Sequence, residues 1–503
     1  MTTTQESEKR HLSSILIVIA IALTGLGIMA GSGGATWPDV LDAFGVSDGW
    51  FGLLAGLGII LSLPLLVFGG KVTARFGKIP LLVAAGVGFL IVAAGFMYAP
   101  RAFLVFAVLM LVRGFSFAII DLSANALAMD AERVARKHVM SPLHAGYSAG
   151  AVLGAGMTAV LFSAGYGFKS VYLIIIGISL VIVLSPALVG FKDRLAQAGS
   201  GEGEAVSLSG FRDPVIRLAA IVTGLSFAGE VLIAEWVAIY LRDERGFSGS
   251  TGALAVTCYG VALMIGRLVN GPVVNRLGLK PSFQLQGMLT IVGGVLVIAG
   301  GPAIVALLGA FVAGFGLAGV GPSGLSLAGK AWPNAPGAAS GLTLLGGYIG
   351  LAAAPLLGGL FSSVASTRVT LACVAACGVG ILLASFAVRE SPQFRFRSVG
   401  AVVAQRPLEN RSGSGLLRGG CAQSAHAFAD DCHLRDRVRP RAIGSVGKHT
   451  NRIVRVRFQL EQLFPNWPNH VDPIVARSVL NAIALAGIAV LDLTATGSLL
   501  SKE

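Results

Sequence analysis

Long apolar runs, each broken by a short polar stretch, recur along the first three quarters of the chain. They fall at residues 12–35, 50–70, 79–98, 102–129, 142–164 and 171–191, and again at 214–241, 251–274, 283–300, 303–327, 337–361 and 369–388. Most approach or exceed the roughly 20 residues that an α-helix needs to cross a bilayer. No segment shows the short alternating strands of an outer-membrane barrel. The pattern predicts an all-α polytopic membrane protein with twelve transmembrane helices in two six-helix pseudo-repeats. It divides the chain into an N-terminal six-helix bundle (1–191), a cytoplasmic linker rich in Gly, Ser and charge (192–212), a C-terminal six-helix bundle (213–388) and a tail (389–503). The first run lacks a convincing cleavage site and reads as a span. Trp37-Pro38-Asp39 is expected to end it.

The polar stretch between the second and third spans reads Gly70-Lys71-Val72-Thr73-Ala74-Arg75-Phe76-Gly77-Lys78. It returns between the eighth and ninth as Gly271-Pro272-Val273-Val274-Asn275-Arg276-Leu277-Gly278-Leu279-Lys280. Both copies follow G-x-x-x-x-R-x-G-(x)-K. One copy per half indicates a chain built from two similar units, as many transporters are.

Composition agrees with burial in lipid. Of 503 residues 54% are hydrophobic and 13% charged, with mean hydropathy +0.78, whereas soluble domains carry about 25% charged residues. The net charge of +13 does not call for a nucleic-acid partner. Its cations gather in the tail and in loops on one side of the spans: Lys71, Arg75 and Lys78, then 133–138, Lys192 and Arg194, Arg276 and Lys280, and Lys330. The positive-inside rule puts that side, with both ends of the twelve-helix body, in the cytoplasm of a cell's inner membrane. The tail is rich in Arg, Ser and Gly without a clear period, and a largely disordered segment is expected. Its apolar run at 474–500 is interrupted by Arg477 and Asp492, and each charge near the centre of a span costs about 2.5–3.5 kcal/mol. Cys421, Cys432, His426 and His433 do not have a zinc spacing. No metal and no cofactor is expected.

Ionisable side chains inside spans are functional hypotheses, because leaving them unpaired in lipid is costly. On the fourth span Arg113, Asp121, Asn125 and Glu132 fall along one polar stripe. Asp121 either faces a water-filled cavity or pairs with a cation across the bundle; Glu132 has Arg136 one turn on as an obvious partner. His144 opens the fifth span. On the seventh, Glu235 and Arg242 share a face, while Glu230 lies deeper with no local partner. A lone desolvated carboxylate favours its protonated form, so Glu230 and Asp121 are the candidates for proton coupling. Trp236 and Tyr240, one turn apart, offer either a stacking surface for a ring or an interfacial anchor. No Walker loop, H-E-x-x-H or Ser-His-Asp cluster is present, so an enzyme is not expected.

These residues resemble the major facilitator superfamily. Both loops are similar to its signature G-x-x-x-D-R-x-G-R-[KR], matched by Gly70, Arg75, Gly77 and Lys78 and by Gly271, Arg276 and Gly278, with Ala74 and Asn275 where the signature has an acid. A narrower pattern, D-x-x-x-N-(x)6-E-(x)7-M-(x)3-H, is similar to Asp121, Asn125, Glu132, Met140 and His144. A second, E-(x)4-D-W-(x)3-Y-L-R, is similar to Glu230, Glu235, Trp236, Tyr240, Leu241 and Arg242, with Glu for Asp. Together with Val46-Ser47-Asp48-Gly49 they resemble the branch of fucose-permease-like and uncharacterised bacterial inner-membrane transporters. The resemblance implies two bundles, a midplane site between them, and a monomeric, proton-coupled transporter of a sugar or other small organic metabolite. Efflux, or a transport-inactive receptor, is the alternative.

Overall fold

The computed structural model describes residues 3–135, 139–189 and 208–388. The tail and most of the linker lie outside that range, as do Arg136 and its two neighbours. Twelve helices among the described residues are long and apolar enough to span a membrane.

In the first half these are α1 (Thr3–Phe44), α2 (Asp48–Val67) with the short α3 (Gly69–Phe76), α4 (Lys78–Tyr98), α5 (Phe103–Ala135), α6 (Met140–Ser163) and α7 (Phe168–Leu184). In the second they are α8 (Pro214–Ile239), α9 (Gly249–Leu277), α10 (Leu279–Ile298), α11 (Ala303–Leu317) with α12 (Val320–Ala331), α13 (Pro336–Val364) and α14 (Thr367–Ser385). The packing repeats between the halves. α1 lies on α6 as α8 lies on α13; α4 joins α5 to α7 as α10 joins α11 to α14. Across the halves α2 meets α13 and α6 meets α9, two contacts that the internal repeat interchanges.

Small residues set the depth of these crossings. A Cβ at Gly27 or Gly31 of α1 would collide with the carbonyl oxygens of Tyr147 and Ala151 on α6, and one at Gly346 or Gly350 of α13 with those of Ala220 and Gly224 on α8. With no hydrophobic drive between helices in lipid, such close backbone contact supplies the dispersion that holds them together.

Two expectations about boundaries are corrected. α1 does not stop at Trp37-Pro38-Asp39 but runs on to Phe44 with Pro38 inside it. Trp37 is fully buried and packs its ring against Phe51 and Phe96, so tertiary packing outweighs the one donor that proline removes. The tenth span is broken at Ala318-Gly319 into α11 and α12. A Cβ at Gly319 would strike the side-chain amides of Asn270 and Gln286, which bond to each other at 2.8 Å.

The end of the bundle that carries both G-x-x-x-x-R loops is called the loop end below, and the opposite one the far end. Gly77 and Gly278 close the two loops at φ +80° and +90°, a backbone region open to glycine and costly for other residues. Lys78, just after the first, forms an ion pair with Asp130 on α5.

Candidate functional site

Between the halves, at middle depth, two linked polar clusters lie on successive turns of α6. In the first, His144 Nε2 lies 2.9 Å from Asn125 Oδ1, and Asn125 Nδ2 donates to Asp121 Oδ1 at 3.0 Å. In the second, one turn further, Arg267 of α9 bonds within its own half and, weakly, across the interface. It donates to Glu230 Oε2 on α8 at 2.9 Å and, weakly, to Ser148 Oγ of α6 at 3.4 Å. Ser226 donates to the other oxygen of Glu230 at 3.3 Å. Glu230 has no cation near it on its own helix, as the spacing implies, and takes one from α9.

Two tyrosines that the sequence reading passed over frame these clusters. Tyr147 of α6 lies within electrostatic reach of Asp121, Glu230, Arg267 and Arg113, and Tyr348 of α13 faces Asp121 from the opposite half. The Arg267 side chain is 34% exposed against 16% for Glu230, so the guanidinium keeps an open side. His144 is also exposed. They sit on α9 and α6, which face each other across the two halves.

Towards the far end the halves are clamped. Arg113 of α5 crosses to Glu235 of α8 at 3.4 Å while its guanidinium lies 4.9 Å above the Trp37 ring. Arg242 pairs with Asp42 at 2.8 Å and Asp39 at 3.5 Å on α1, and with neighbouring Asp243. Glu235 and Arg242 share a face, as the spacing implies, yet each takes its partner from the other half. Asp48 at the start of α2 accepts from Ser362 at 2.6 Å and Thr367 at 3.3 Å. Trp236 and Tyr240 are fully buried, and the Trp236 ring lies 5.5 Å from that of Phe51 across the interface. Buried as they are here, neither presents an exposed ring face, and Trp236 packs into the seam between the halves.

The loop end differs. A Cβ at Gly70 or Gly271 would meet nothing within 4 Å, whereas one at Gly52 in the far half of α2 would meet Gly359 Cα at 2.6 Å. Leu268 and Met129, near the loop ends of α9 and α5, are 68% and 53% exposed. The cross-half contacts named here gather towards the far end, and none of them lies at the loop end. Arg75 and Arg276 make no ion pair among the described residues, and Glu132 accepts from the backbone N–H groups of Val139 and Met140 at 2.9 and 3.0 Å, tying down the start of α6.

Comparison with known proteins fits this architecture. The sequence profile of the Major Facilitator Superfamily matches residues 17–342 and, in a second overlapping match, 219–489. The chain belongs to the major facilitator superfamily. An uncharacterised MFS-type transporter of Yersinia pestis is 28% identical over 356 residues, 69% of this chain and 90% of that protein. An uncharacterised transporter of Sinorhizobium fredii is 28% identical over 68% of this chain and 89% of its own length. A probable plastidic glucose transporter of Arabidopsis thaliana is 34% identical over 21% of this chain and 22% of its own. The crystal structure of the nucleoside transporter NupG superposes with a TM-score of 0.61 at 13% identity, covering 74% of this chain and 98% of that one. Read as a superfamily member, the chain replaces the acid of its first signature loop by Ala74, yet Lys78 of that loop finds its carboxylate on α5, at Asp130.

Proposed function

We propose that this superfamily member moves a small polar solute, a sugar or organic metabolite, across the inner membrane by alternating access, coupled to protons. The observation that carries the reading is the Arg267–Glu230 pair at 2.9 Å, set in the polar space between the halves beside the His144–Asn125–Asp121 chain. A guanidinium with an open side can hold a polar or anionic solute group, and protonation of Glu230 frees it to do so. One guanidinium then answers to both proton and solute, which is the link that coupled transport needs. Asp121, aligned by Asn125, is the second proton candidate, and Tyr147 and Tyr348 are apolar faces with polar tips suited to a ring. The partial likeness to a glucose transporter agrees with a polar solute.

The bias of Lys and Arg towards the loop end supports placing that end in the cytoplasm. The cross-half contacts gathered at the far end then make this an inward-facing conformation. The chain acts as a monomer in this reading, since each cluster is completed within one chain, and it does no covalent chemistry on its solute.

Reconstituted vesicles with an imposed pH gradient test the proposal, using labelled sugars, nucleosides and organic acids. At least one should accumulate, and a protonophore should collapse the gradient-driven part. Accumulation indifferent to the protonophore would remove the proton from the mechanism. Absence of both uptake and exchange for every solute class would remove transport.

A further inference from the structure

Away from the polar space, α8, α13 and α14 enclose a cavity of about 630 Å³, within the range of ligand pockets. It opens sideways. Ile221, Ile349 and Leu357 on its rim are 54%, 58% and 47% exposed on the apolar belt of the bundle. Its floor is shallow because α8 and α13 cross there on small residues, Ala220 and Gly224 against Gly346 and Gly350. Along α8 the lining runs from Arg217 to Leu232, about 22 Å at 1.5 Å per residue. That exceeds one leaflet, which is about half of the 30 Å hydrocarbon core.

The lining is almost wholly apolar except at one end. Arg217 stands there, in the first turn of α8, at the loop end of the bundle. Its side chain is exposed and makes no hydrogen bond or ion pair among the described residues. Among the described residues its acidic neighbour Asp213, within electrostatic reach of it, is already engaged: Asp213 accepts from the Val215 N–H and from the Trp332 indole N–H, each at 2.8 Å. Those donors, the indole foremost, with a smaller part from the Arg217 charge, hold the Asp213 carboxyl below its ordinary pKa. It stays ionised, committed to capping α8 and anchoring Trp332.

We propose that this groove holds an anionic phospholipid, with one acyl chain along α8 and the headgroup phosphate on Arg217. An apolar trench longer than one leaflet, open to the bilayer and ending at interface depth in a cation whose guanidinium makes no hydrogen bond or close ion pair among the described residues, matches that amphiphile in shape and charge. A zwitterionic lipid fits the trench but brings its own cation to Arg217. In the orientation proposed above, Arg217 lies in the cytoplasmic leaflet, where anionic lipids are enriched. The groove is separate from the solute site, and its occupancy does not depend on what is transported.

The test uses the full chain in nanodiscs carrying trace acyl-chain spin-labelled phosphatidylglycerol or phosphatidylcholine. The motionally restricted fraction is read by electron paramagnetic resonance. The native protein should restrict phosphatidylglycerol at least fivefold more than phosphatidylcholine. Arg217→Gln should remove that preference and Arg217→Lys should keep most of it. Ala228→Trp, which fills the trench without touching the charge, should lower restriction of both lipids. Equal restriction of the two lipids by the native protein would overturn the proposal. An unchanged preference in Arg217→Gln would overturn it too, as would full restriction in Ala228→Trp protein with a native thermal transition.

Discussion

Arg267→Met abolishes pH-gradient-driven accumulation and lowers the melting temperature, and adding Glu230→Gln restores the melting temperature alone. The single change strands the Glu230 carboxylate with only Ser226 at 3.3 Å. Breaking a buried pair from one side costs about 3–5 kcal/mol; with Arg267 34% exposed, water lowers this to roughly 1–2 kcal/mol. Removing both charges returns the site to neutrality, and replacing both partners of a buried pair is often nearly neutral. A pair that only stabilised the C-terminal half would regain transport along with stability in the double variant. Glu230→Gln alone mimics the protonated carboxyl, so solute exchange should persist while uphill accumulation fails. Tryptophan-fluorescence melting and vesicle uptake, measured on the same preparations, separate these outcomes.

Gly52→Leu reduces turnover by a hundredfold or more without unfolding the protein. Gly52 of α2 lies against Gly359 and the carbonyl of Pro355 on α13, where even a Cβ has no room. The leucine side chain forces the halves apart at the far end and opposes the conformation described here. It meets no such obstacle once the halves have separated there, so the variant should be trapped open at the far end with a native-like melting temperature. A comparable substitution at Gly70, where a Cβ meets nothing within 4 Å, should leave this conformation intact.

How far the sequence anticipates the structure depends on whether a feature is local. The twelve spans follow from apolar runs of bilayer length, and the repeated loops already carry the division into halves. Asp121 and Asn125 come together as their spacing implies, because they share one helix face, whereas the contact of His144 with Asn125 comes from how α6 packs beside α5. The partners of Glu230 and Glu235 are a different matter. Arg267 reaches Glu230 from α9 of the same half and Arg113 reaches Glu235 from α5 of the other, and no local spacing encodes a contact between helices far apart in the chain. Trp236 and Tyr240 misled for the same reason, since a tryptophan near a span end looks alike at a lipid interface and in a seam between bundles. Pro38 misled in another way: its lost donor is a local cost, and the packing of Trp37 that outweighs it is tertiary. The charges at 192–212 and 389–503 follow from composition, and the structure beyond 388 lies outside the described residues.

The central claim is that the two halves swing about the polar site, closing one end as the other opens. Double electron–electron resonance in nanodiscs tests it without knowledge of the solute. One label pair, on a cysteine-free background, sits in the two repeated loops at Phe76 and Leu277, both exposed. The second sits at the far end on Ser47 and Val364, both exposed. The account predicts two distance populations for each pair, with opposite trends. Gly52→Leu should shift the far-end pair to the longer distance and the loop pair to the shorter one. A single distribution at both ends, unmoved by Gly52→Leu, would contradict alternating access in this protein.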